Sequence, residues 1–195
     1  MPSSRLPHPA LAAFSLGAIL ALGASVQGGA IVERTLAFVN KKPVLLSDVA
    51  LTRALLQLDE KDALERTIEE VMMYEEASRL LSEPPPREAI EAAVLALREK
   101  AGPGFTTPAL TRKALVQITI KSYIDIRLRP LVRVDDAEIR KVFNDRLAGA
   151  APPEAFSGVA PEIRDQLERR ALDQRIEEWV ASLRRREEVR RPPPR

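Results

Sequence analysis

Apolar positions recur along this chain in two rhythms. Between Thr35 and Leu46 they form two short runs, Thr35 to Val39 and Val44 to Leu46, parted by Asn40, Lys41, Lys42 and Pro43. Apolar runs that hold β-formers on either side of a turn cluster predict a hairpin over 34–46. From Ser47 onward the spacing changes to threes and fours. Leu51, Leu55 and Leu58 predict a first helix over 47–58, with Ser47 as its cap and Asp48 at the positive end of its dipole. Leu64, Ile68, Val71 and Met72 set the stripe of a second helix over 62–81, whose Glu65, Glu69, Glu70, Glu75 and Glu76 belong mainly to the wet side.

Prolines and glycines punctuate the rest. Pro84, Pro85 and Pro86 cannot continue a helix, so a third begins afresh over 87–101 with Ile90, Val94 and Leu97 inward, and stops at Gly102, Pro103 and Gly104. Thr106 or Thr107 caps a fourth helix over 107–129. Its Leu110, Leu115, Ile118, Tyr123, Ile124 and Leu128 face a core, with Lys113, Lys121, Arg127 and Arg129 around them. Pro130 ends it, and Asp135 with Asp136 opens a fifth over 135–147. Leu147 to Pro161 reads as a linker of small residues and prolines. A last helix over 162–186 carries Ile163, Leu167, Leu172, Ile176, Val180 and Leu183, with Trp179 as a core anchor. Glu187 to Arg190 can add a short C-terminal strand beside the hairpin, and 191–195 is expected to be a disordered tail. The expected fold is therefore mainly α, one domain over 31–190 with a small N-terminal β-hairpin. Helix lengths and breaks follow no fixed period, which excludes a repeat array.

Residues 1–30 are set apart from that fold. Arg5 is their only formal charge, Ala10 to Leu22 is apolar, and Gly23 to Ala30 is small and polar, the layout of a secretory signal peptide with cleavage after Ala30 or after Ala24. Export to the periplasm is the expectation, and an uncleaved inner-membrane anchor is the alternative, although the run is shorter than the roughly 20 residues of a spanning helix. Without Arg5 the balance is 29 basic against 28 acidic residues, which gives little reason to expect nucleic acid.

The same cut changes the chemistry more than the charge. His8 is the only histidine and there is no cysteine, so residues 31–195 hold neither. Ser-His-Asp and Cys-His catalysis, zinc sites of the usual ligand set and disulfides are all removed. Adjacent carboxylates such as Glu69 and Glu70, or Asp135 and Asp136, point in different directions on a helix and read as a wet face and a cap. No catalytic residue, metal ligand or cofactor is expected, and neither a phosphate-cradling loop nor a dinucleotide fingerprint occurs. The candidates for contact with a polypeptide are Met72, Met73, Tyr74 and Tyr123, because thioethers and aromatic rings adapt to varied apolar partners; the competing reading of Met72 to Tyr74 is core filling. Arg184, Arg185, Arg186, Arg190 and Arg191 read as a basic helix terminus or as a contact for acidic partners.

The order of hairpin, Ser-Asp pair and amphipathic helices behind an export signal resembles the start of the SurA-type periplasmic chaperones and related parvulin-containing foldases. The residues carrying the resemblance are Ala37, Phe38, Val39, Asn40, Val44, Leu45, Ser47, Asp48 and Val49, with Lys41 standing where that family commonly has glycine. Val134 to Ile139 is similar to the helix leading toward the family's isomerase domain, and Phe156 to Leu183 to its closing helix. The short stretch between them cannot build a parvulin domain, which needs on the order of a hundred residues. The resemblance implies a holdase for unfolded envelope or outer-membrane polypeptides, without isomerase activity, since the parvulin site is built around histidines. The alternatives are an envelope assembly or scaffold subunit with one dedicated partner, including a homodimer formed by exchange of elements, and, furthest from the residues, a prolyl isomerase.

Overall fold

The computed structural model describes residues 33–81, 83–147 and 156–192. The expected signal segment, most of the expected linker and the last three residues of the tail lie outside them. Strand β1 (Thr35–Val39) pairs antiparallel with β2 (Lys42–Leu45), and helices α1 (Leu46–Leu56), α2 (Glu60–Leu80), α3 (Arg87–Ala101) and α4 (Thr107–Tyr123) follow. Two tighter and wider turns, Ile124–Leu128 and Arg129–Leu131, lead to α5 (Asp136–Leu147) and the long α6 (Phe156–Arg186), after which β3 (Val189–Arg190) pairs with β1. The sheet order is β2-β1-β3, so the chain is mainly helical with a three-stranded antiparallel sheet closed by its C-terminus.

The hairpin turns on Asn40, whose φ of 52° lies in the left-handed region while Lys41 keeps an ordinary backbone. Asparagine tolerates that conformation where most L-residues do not, so the turn needs no glycine after it. Ala37, Val39 and Val44 point into the main core, where they meet Ile68, Met72 and Met73 of α2, Trp179 and Leu183 of α6 and Tyr123 of α4. A second cluster joins Leu51 of α1 to Leu97 of α3 and Leu110 and Ala114 of α4. A third, of Ile139, Phe143, Ile163 and Leu167, packs α5 on the first half of α6.

Several expected boundaries move, each for a physical reason. Helix α1 begins at Leu46 with no side-chain cap of its own, so Ser47 is not the cap. The carboxylate of Glu33 does that work from outside, accepting from the Ser47 N–H at 3.2 Å and from its hydroxyl at 2.7 Å. Asp59 caps α2 by accepting from the N–H of Asp62 at 2.8 Å, which starts that helix two residues early. Thr106 caps α4. That helix stops being α-helical at Tyr123 because Pro130 has no N–H to give and its ring presses on the carbonyl four residues back; the preceding turn widens and the N–H of Arg129 bonds to Ile124, five residues behind. Helix α6 begins at Phe156 and not at 162, with Pro161 inside it. A proline so near the helix start removes one hydrogen bond, and the apolar contacts of Phe156 and Val159 with α5 outweigh that loss.

Most arginines of the basic terminus are paired with carboxylates. Arg184 reaches Glu69 at 2.8 Å, Arg186 reaches Glu76 at 3.4 Å, and Arg191, expected in the tail, pairs with Glu65. Among the described residues no helix is long and apolar enough to cross a membrane.

Candidate functional site

Residues of β2, α1, α2 and α4 enclose a cavity of about 290 Å³. Its walls are apolar over most of their area: Pro43 and Leu45 from β2, Val71 and Tyr74 from α2, Leu115 and Val116 from α4. Strand β2 stands at the edge of the sheet, bonded to β1 on one side, and its Lys42, Pro43 and Leu45 line the cavity. Pro43 sits in this edge strand and offers no N–H there, which limits pairing with another chain.

Polar groups line one end of the cavity, and they are buried. Lys113 on α4 is 6% exposed and Glu70 on α2 is 8% exposed. The Lys113 ammonium donates to the Glu70 carboxylate and, at 2.8 Å, to the Thr52 hydroxyl on α1. Thr67 gives its proton to the Ala63 carbonyl at 2.7 Å, so over the 3.0 Å between the two threonine hydroxyls it is Thr52 that donates. A continuous run of donors thus leads from Lys113 through Thr52 and Thr67 to the backbone of α2. Three helices are tied at this point. An ammonium has three donors, and Glu70 and Thr52 take two of them.

A second charged group stands at the mouth. Arg112 donates to Asp48 at 2.9 Å and to the Ser47 hydroxyl at 3.0 Å, with Glu33 at 3.9 Å. Burial pushes the Asp48 carboxyl above the ordinary carboxylate range, and the hydrogen bond and charge of Arg112 work against that rise. Burial alone would raise Glu33 too, but the hydroxyl and N–H of Ser47 stabilise its charged form and hold it below the usual range.

The residues singled out from sequence fall in two places. Tyr74 lines the cavity. Met72 and Met73 are 2% and 3% exposed and fill the main core, where the core-filling alternative would put them. Tyr123 is buried beside them, stacked on Trp179 with ring centroids 4.5 Å apart, and the Trp179 indole N–H has no acceptor among the described residues. Sequence reasoning missed the polar lining formed by Thr52, Thr67, Glu70 and Lys113, and gave no role to Arg112 or Val116. Glu70 is corrected from the wet side of α2 to its buried stripe, and Lys113 from the rim of α4 to its core face. The spacing carried a signal, since Ala63, Thr67, Glu70 and Ala77 follow one another at four, three and seven, a stripe of small and polar residues beside the apolar one.

Among the described residues no cluster of His, Cys, Asp and Glu is placed to hold a metal ion. No protein-family model, curated protein or solved structure matches this chain.

Proposed function

We propose that the chain is an exported periplasmic holdase that binds unfolded envelope polypeptides by contact alone, with no covalent step. The observation that carries this reading is the juxtaposition of the free edge of β2 with the apolar cavity beneath it. An extended segment laid along β2 gains main-chain hydrogen bonds from the edge, while one of its alternating side chains enters the cavity. At about 290 Å³ the cavity lies at the small end of the ~300–1,000 Å³ typical of ligand sites, so it has room for one large apolar side chain and little more. The remaining donor of Lys113 meets a carbonyl of the bound segment. Pro43 keeps the edge from pairing tightly, so a client is held loosely and released unchanged.

The resemblance of residues 31–190 to the SurA-type helical module points the same way, as does the signal-like layout of residues 1–30. A binding role also fits a chain whose only histidine is His8.

Light scattering of an unfolded outer-membrane β-barrel protein, diluted into buffer with and without the purified protein, tests the reading. Suppression near stoichiometric ratios is expected, with no acceleration of a proline test peptide. Leu115→Trp, which fills the cavity from a half-buried wall position, should leave the circular dichroism spectrum unchanged and abolish most of the suppression. Unchanged scattering with the wild-type protein, or full activity of a folded Leu115→Trp, would overturn it.

A further inference from the structure

The α3 face is built differently from the rest of the molecule. Leu97 is the one buried residue of its fifteen, while Leu95 is 69% exposed. Between α3 and the start of α4 runs an open groove of about 630 Å³, lined by Ile90, Glu91, Val94, Leu95, Arg98 and Thr111. Neither of these charges is buried: Glu91 holds Arg87 at 2.7 Å across one turn of helix, and Arg98 reaches the Thr107 hydroxyl at 2.8 Å.

The charges along this face decide what can cover it. Arg87, Glu91, Val94 and Arg98 follow one another at four, three and four, one stripe of the helix with Leu95 beside its midpoint. If a second α3 lies antiparallel across the groove, with a twofold axis between Val94 and Leu95, Glu91 of each copy faces Arg98 of the other. Both ion pairs then flank an apolar centre in which each Leu95 enters the opposite groove. Two competing arrangements are disfavoured by like charge. Sliding one helix by about one turn, which moves the axis two residues toward the start of α3, sets Arg87 against Arg98, and a parallel arrangement sets Glu91 against Glu91 and Arg98 against Arg98.

We propose that α3 is a self-association surface whose occupant is a second copy of this chain, joined antiparallel about a twofold axis between Val94 and Leu95. No element is exchanged, and the cavity beside β2, which shares no lining residue with this surface, stays open in each copy. A contact made by one helix and its groove lies at the small end of specific interfaces, about 1,200 Å² or less in total, so the dimer is weak and concentration-dependent.

Sedimentation velocity of the purified protein from about 10 to about 500 μM tests this, the expected result being a shift from one chain to two across the range. Leu95→Asp should hold the protein as a monomer throughout. Glu91→Arg and Arg98→Glu should each weaken association at least about tenfold, because each alone places like charges opposite one another at two symmetric points. Combining them exchanges the pair and should restore dimerisation. All three substitutions fall on exposed positions, and circular dichroism checks that each variant, the double included, is folded. A wild-type monomer at every concentration, single charge reversals that associate as wild type does, or a double reversal that fails to recover would each overturn the proposal. So would a Leu95→Asp that loses client holding while the wild type stays monomeric, since the groove would then be a client surface.

Discussion

At the scale of single residues the decisive feature is an ion pair that the apolar surroundings ought to penalise. Lys113 and Glu70 are almost wholly out of water, and removing two charges from water costs more than their mutual attraction returns unless further hydrogen bonds complete the site. Thr52 and Thr67 supply those bonds. Truncating one partner leaves the other charged and unpaired in the interior, so Lys113→Met is expected to lower stability by about 3–5 kcal/mol. Removing both charges together, as Lys113→Met with Glu70→Leu, should recover most of that loss. Urea unfolding of the three variants measures it, and additive losses in the double variant would show that the pair is not coupled. This network is also where the sequence was least legible. A glutamate and a lysine inside amphipathic helices look like members of a wet face, because either helix alone has a polar side that could hold them. Only the crossing of α2 over α4 decides that two such residues meet inside, and a helical period contains no information about crossings.

Elements were more legible than residues, because each depends on its own neighbours. The hairpin, the order of six helices and the closing strand follow from local apolar spacing and from turn residues, and they stand within a few residues of where those signals put them. Asp59 moves the start of α2 from the adjacent position, and the other displaced ends are set by groups outside the helix concerned. Glu33 caps α1 from the segment ahead of β1, Pro130 reshapes the turn before it, and α5 draws the start of α6 back to Phe156. That last contact gives α5 a distinctive status, since α6 is its main packing partner and Phe143, edge-on to Phe156 at 5.3 Å, stands at the centre of the contact. Phe143→Ala should cost about 3–5 kcal/mol at that cluster and little elsewhere. The loss is expected to appear as local opening, with amide hydrogen exchange accelerating across 136–147 and 156–167 while α2 and the sheet keep their protection. Uniform acceleration over the whole chain would mean that α5 belongs to the same cooperative unit as the main core.

For the whole molecule the question is what returns the C-terminus to the hairpin, more than a hundred residues away in sequence. Two contributions are present. The arginines of α6 face the glutamates of α2, but these pairs are exposed and each contributes on the order of 0–1 kcal/mol. Asn40 makes the more specific tie. Its backbone N–H donates to the carbonyl of Glu188 at 2.8 Å, its side-chain oxygen accepts from the N–H of Glu188 at 3.1 Å, and its amide group donates to Glu75 at 3.2 Å and to Glu187. One residue therefore joins the hairpin turn, α2 and the segment that becomes β3, and it does so from a left-handed backbone. The two roles can be separated. Asn40→Gly keeps the backbone free to take a φ near 52° and deletes the side-chain bonds, so its cost reports the tie, about 1.5–3 kcal/mol for hydrogen bonds to charged acceptors. Asn40→Ala loses the same bonds and adds strain of about 1 kcal/mol or more at positive φ. Urea unfolding should rank wild type above glycine above alanine, and exchange at the amides of residues 188–190 should quicken in both variants. If glycine proves neutral, the side chain of Asn40 is not what closes the fold, and the α2–α6 charge pairs with the packing of Trp179 and Leu183 must account for the return.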